Sequence, residues 1–127
     1  MNIAEEIRNF RAEGISAEGA AKLAEAARRA RMWAVVATSA AKSGHPAGAL
    51  SSMDIYMTLL GAANVSPELA DSSERDRIVV SHGHTSAGFY AALAEYGFFD
   101  AKEMAANFRR TGSPYQGHVE RDVPGVD

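Results

Sequence analysis

At 127 residues, 46% hydrophobic and 23% charged, the chain has the makings of one ordinary globular domain with a buried core, and its composition is that of a globular rather than a disordered chain. The formal net charge is only -3, and acidic and basic residues interleave in stretches 25–31 and 74–77, so no face is suited to nucleic acid or an anionic membrane. Cysteine is absent, which removes disulfides, thiolate nucleophiles and thiolate metal ligands and suits a reducing compartment.

The amino terminus is acidic and amphipathic, with no apolar core of signal-peptide length, and no apolar run reaches the roughly 18 residues of a membrane span. A soluble, cytoplasmic protein is the expectation. Ile3, Ile7 and Phe10 share one stripe, so residues 3–12 are expected to form a short amphipathic helix closed by Gly14. Ser16 then caps a longer helical stretch reaching Ser43, with Leu23, Ala27, Ala30 and Ala34 at helical spacing and Gly44 and Pro46 as its stop. From Met32 to Ala41 it is apolar all round, which calls for burial on more than one side. Unbroken, about 27 residues would run roughly 40 Å, against a radius of gyration of about 14 Å for a compact chain of this size. Either the helix breaks in the β-prone stretch Trp33 to Thr38, or it lies against a partner or a larger body.

Gly44, Pro46 and Gly48 predict an ordered turn carrying His45. Ser51 to Asp54 has the look of a capping box, opening a helix that turns Ile55, Leu59 and Leu60 inward. Ser66-Pro67 begins a single helical turn, and Asp71 to Arg77 reads as polar surface. Ile78-Val79-Val80-Ser81 suits a buried parallel strand, broken by His82-Gly83-His84; Phe89, Leu93 and Tyr96 then resume a helical stripe that Gly97 closes. Asp100 to Glu103 is another capping box, for a helix ending at Arg109-Arg110, whose charges suit the carboxyl-terminal dipole. Residues 111–127 read as irregular, with no core pattern, and contain His118.

A parallel sheet cannot be built from one strand, and the helices have faces to bury. The expected fold class is therefore α/β, mostly helical in this segment with one or few parallel strands, completed by further chain or by a partner.

The chemistry concentrates in the histidines. His82-x-His84 at a strand end invites a metal, because alternate residues of a strand point the same way, but the further ligands such a site needs on other strands are not visible. An anion site is the second possibility: Gly83 permits close backbone approach, the helix start at Thr85-Ser86 supplies N–H groups, and a histidine adds a hydrogen bond. His45 and His118, each beside a glycine on an irregular segment, are candidates to join it on one polar ligand. For His45 the alternative is a structural bond to backbone groups at the helix ends.

Three stretches closely resemble, in order and spacing, successive motifs of the transketolase family. They are Lys42-Ser43-Gly44-His45-Pro46-Ala47-Gly48-Ala49-Leu50-Ser51; Asp76-Arg77-Ile78-Val79-Val80-Ser81-His82-Gly83-His84 with Tyr90-Ala91-Ala92-Leu93; and Gly117-His118-Val119-Glu120 with Pro124-Gly125-Val126-Asp127. The wording from His82 to Gly88 is most similar to the amino-terminal half of split, two-subunit transketolases. The resemblance implies the front portion of a thiamine-diphosphate-binding fold, in an enzyme that moves a two-carbon ketol unit from a ketose phosphate to an aldose phosphate. It implies His45, His84 and His118 as catalytic residues, with His84 and Gly83 at the cofactor. His45, His118 and Arg109 would meet the substrate, Arg109 at its phosphate, and His82 has no implied role.

Ala47 stands where many members have glycine, and Val119 where proline is usual. Residues 1–127 are expected to be a partial diphosphate-binding domain that stops before the family's cofactor metal motif. Mg2+ would then be held outside this chain, and isolated residues 1–127 would bind thiamine diphosphate weakly or not at all. Sugar phosphates are the expected substrates, and a second transketolase subunit or further carboxyl-terminal domains, in a homo- or hetero-oligomer, the expected partners. The rival expectations are a non-catalytic binding or assembly module, and a related thiamine-diphosphate enzyme such as deoxyxylulose-phosphate synthase.

Overall fold

The fold hangs on one unbroken helix, α1 (Ala17–Ala41), in a computed structural model that describes residues 3–127. Ser16 sets its start, its hydroxyl accepting a hydrogen bond from the Gly19 N–H at 3.0 Å, and Lys42 in the left-handed conformation (φ 51°) sets its end. The β-prone stretch does not break it, because alanine loses no side-chain entropy on becoming helical and this helix is rich in alanine. Ala26, Ala27, Ala30, Ala34 and Ala37 form a buried seam along it, and such small side chains let neighbouring axes approach closely. The neighbours packed along α1 are α4 (Ser86–Glu95), α5 (Ala101–Asn107), α3 (Met53–Ala62) and α2 (Pro46–Ser51). Met32, Val35 and Val36 are left exposed.

Helix α4 is the centre of the core. Every residue from Ser86 to Leu93 is buried, because α1, α2, α3 and α5 all pack against it. The stripe Phe89, Leu93, Tyr96 is buried as its spacing predicts, and Gly97 (φ 86°) turns the chain away. Helix α5 opens with the predicted cap, Asp100 Oδ1 accepting from the Glu103 N–H at 2.8 Å. It closes at Phe108 rather than at the two arginines. No helix among the described residues is long and apolar enough to cross a membrane.

Several expectations are corrected. The expected strand at 78–81 is not one: the described residues contain helices and irregular segments and no strand. A strand exists only through the ladder it shares with a neighbour. Here the Ile78 N–H instead donates to Asp127 Oδ2 at 2.8 Å, and Val79 is 75% exposed. Residues 5–10 form a distorted 3-10 helix, with Arg8 and Asn9 outside helical dihedrals and Phe10 exposed rather than packed. In α3 the inward stripe is Met53, Tyr56, Met57 and Leu60, while Ile55 and Leu59 face solvent. Arg75 is buried rather than on a polar surface, and its guanidinium grips both carboxylate oxygens of Asp127 at 2.9 and 2.6 Å. The irregular tail contributes Tyr115, Val123 and Val126 to the core.

Candidate functional site

Three separate segments deliver an imidazole to one place. The first leaves α1 through Gly44, which no other residue would suit: its φ is 130°, and a Cβ there would stand 2.7 Å from Thr38 Cγ2 and 3.1 Å from Phe108 Cε1. His45 follows as the residue capping α2, with Pro46 fixing the first helical position. Its side chain makes no capping hydrogen bond, so it does not serve the helix-end role that was its structural alternative. Its ring instead lies 4.5 Å from that of His84, centroid to centroid.

His84 is held immediately before α4. Its φ of 62° is the left-handed region, which side-chain-bearing residues adopt at a cost and which clusters at functional sites. The next residue, Thr85, is fully buried and locks the turn: its hydroxyl donates to His82 O at 2.7 Å and so accepts from the Tyr56 hydroxyl, also at 2.7 Å. Gly83 is open on its side-chain face, with no atom within 4 Å of where a Cβ would be.

His118 approaches from the irregular tail. Its ring centroid is 4.3 Å from that of His84 in an edge-to-face arrangement, and the two Nε2 atoms are 3.1 Å apart. Arg109 reaches the same neighbourhood, also in the left-handed region (φ 56°) and pinned by its N–H to Tyr115 O at 2.7 Å. Its guanidinium lies along Gly117, with Nη1 3.2 Å from where a Cβ would be, directly before His118 in the chain.

His82 belongs elsewhere. Its Nδ1 is 3.1 Å from the Ser52 hydroxyl at the start of α3, which explains why Ser52 does not cap that helix. The metal reading of His82-x-His84 finds no support: among the described residues no group of three or more histidines and carboxylates is placed to hold a metal ion.

The site is electropositive in character. Loss of hydration, followed by the charges of His118, His45 and Arg109, holds the His84 imidazole below its ordinary value. Two Nε2 atoms at 3.1 Å make a good hydrogen bond only if one of them carries a proton and the other does not. The cluster is therefore a place where a proton can pass between imidazoles. With a guanidinium beside it, it is built to meet an anion or hydroxyl groups. Supports to which sequence reasoning gives no role are the side chains of Tyr56, Ser86 and Tyr90; the last two figure there only as part of the helix start and of a family-like motif, and their spacing of four puts them on one helix face.

Residues 22–127 match the family described as transketolase, thiamine diphosphate binding domain. The transketolase of Kluyveromyces lactis is 35% identical over 97 residues, which are 76% of this chain and 14% of that protein. One subunit of the apulose-4-phosphate transketolase of Phocaeicola vulgatus is 33% identical over 88 residues, 68% of this chain and 31% of that one. Among solved structures, a transketolase from Leishmania mexicana superposes with a TM-score of 0.72 at 33% identity, covering 82% of this chain and 16% of that one. The chain thus spans a small part of the length of the proteins it matches.

Proposed function

The chain belongs to the transketolase family, matching its thiamine diphosphate binding domain, and from that premise we propose that it forms one wall of a ketol-transferring active site. The observation that carries this is the convergence of His45, His84 and His118, with Arg109 beside them, from segments far apart in the chain.

The residues fit the cofactor's anionic end. The charges that act on His84 all come from basic groups, and Gly83 leaves room for a ligand to approach the backbone. His84 and Gly83, with the first N–H groups of α4, would hold the diphosphate. When bound, thiamine diphosphate supplies the carbanion chemistry that breaks and remakes a carbon–carbon bond beside a carbonyl. His45 and His118 orient the hydroxyls of the donor sugar and move protons to and from them, His118 through its contact with His84. Arg109 takes the sugar phosphate, for which a guanidinium supplies paired donors.

The substrates in this reading are a ketose phosphate and an aldose phosphate, in a cytoplasmic enzyme of carbohydrate metabolism. Residues 1–127 act as a partial diphosphate-binding domain, and magnesium and the pyrimidine ring are held by further domains or a second polypeptide, in a homo- or hetero-oligomer. Similarity to a protein that is named as one subunit of its transketolase supports a separate partner. The test is ketol transfer by that complete assembly, with thiamine diphosphate and magnesium. Activity should fall by at least about tenfold, the lower range for loss of an acid–base group, in His118→Ala. An assembly with no transfer to any aldose phosphate, or one indifferent to His118→Ala and His84→Ala, overturns the reading.

A further inference from the structure

His118 sits on a segment without secondary structure, yet its ring is placed within hydrogen-bonding distance of His84. Two side chains of α4 account for that placement. Ser86 and Tyr90 lie four residues apart and so share one helix face. The Ser86 hydroxyl donates to Gln116 O at 2.7 Å. The Tyr90 hydroxyl donates to His118 O at 2.9 Å and accepts from the Glu120 N–H at 2.9 Å. One helix face thus grips residues 116, 118 and 120 of the tail, on both sides of His118. Because α4 begins directly after His84 and its cap, the same rigid element carries both rings.

We propose that Tyr90, together with Ser86, is a positioning residue for His118: its phenol fixes the tail backbone so that the His118 ring meets His84. Tyr90 is fully buried, and its hydroxyl is engaged by the tail backbone on both sides of the His118 ring. Burial, moderated by the Glu120 N–H, pushes the phenol up to about 12, and it stays protonated, and able to donate to His118 O, across the physiological range. A tyrosine that merely filled the core would need its ring and not its hydroxyl.

The importance of this device for catalysis rests on the function proposed above, but the ring contact is read without cofactor or turnover. A failure in one therefore leaves the other standing. The experiment is NMR of the histidine rings in the full 127-residue chain, comparing Tyr90→Phe with Tyr96→Phe. Tyr96 is the matched control, a buried tyrosine whose hydroxyl donates to Met57 O at 2.6 Å and touches none of the three histidines' segments. The expected result is loss of the cross-peak between the His84 and His118 rings in Tyr90→Phe and its retention in Tyr96→Phe. A wild-type cross-peak and wild-type ring shifts in Tyr90→Phe overturn the proposal, and so does equal loss in both variants. If Tyr90→Phe does not fold, Ser86→Ala decides: a weakened ring contact supports the two-point grip, and an unchanged one overturns it.

Discussion

His84 Nε2 and His118 Nε2 lie 3.1 Å apart across 34 residues of sequence. Such a contact holds only while one of the two nitrogens carries a proton and the other does not. Protonating both rings places two cations against each other, with His45 and Arg109 alongside.

The pH dependence of stability follows with a definite sign. Loss of hydration and then the neighbouring positive groups hold His84 below its ordinary 6.5, so the unfolded chain binds this proton more tightly than the folded one. The stability tied to this group is intact above the ordinary value. It declines as pH falls from there toward the lowered native value. The thermal midpoint should therefore drop between about pH 7.5 and pH 5, on either side of the ordinary histidine range. In His84→Asn, which tolerates the left-handed backbone, that drop should be smaller. An acid-side drop of wild-type size in His84→Asn contradicts the geometry.

Asp127 contributes with the same sign in a more acidic window. Burial pushes its carboxyl up, but hydrogen bonds from Arg75, Arg77 and the Ile78 N–H outweigh that and hold it at about 2. Its stabilising effect is present above the ordinary 3.8 and is lost as pH falls toward about 2. Asp127→Asn leaves the Arg75 guanidinium, whose side chain is only 4% exposed, without its anion. Removing one partner of a buried pair costs about 3 kcal/mol. Urea unfolding at neutral pH should show a loss of this order, and a change within experimental scatter would mean that the pair is not made in solution.

Gly88 decides how close α2 comes to α4. A Cβ there would stand 2.7 Å from Ala49 O and 2.9 Å from Ala49 Cα, both backbone atoms that cannot swing aside. Alanine is the better helix former by about 1 kcal/mol, so without this contact Gly88→Ala would stabilise. Overpacking costs about 1–3 kcal/mol, and the net expectation is destabilisation with displacement of α2, which carries His45 at its start. A raised melting temperature in Gly88→Ala contradicts the packing.

What was legible in the sequence was local. The caps at Ser16 and Asp100 and the buried stripe of α4 each need only a few neighbouring residues to be specified, and each is present. The run Ile78 to Ser81 misled because β-branched residues favour a strand locally, whereas a strand is completed by a partner that no local pattern encodes. In α3 two apolar stripes coexist, and the choice of Met53, Tyr56, Met57 and Leu60 over Ile55 and Leu59 is made by the helices alongside. His45, His84 and His118 stood out by their glycine neighbours and by resemblance to family motifs. Their meeting is a tertiary fact, produced by Gly44, by the Thr85–Tyr56 lock and by the grip of Ser86 and Tyr90 on the tail.

The central claim is that this cluster faces the diphosphate and the sugar. It is tested most directly by titrating thiamine diphosphate, and separately thiamine without its diphosphate, into the isotopically labelled chain while following backbone and histidine-ring signals. The expected result is weak, saturable shifts from thiamine diphosphate concentrated at Gly83, His84, His45 and His118, with little response to thiamine alone. Shifts that fall elsewhere, that thiamine reproduces in full, or that never reach these residues would contradict the claim.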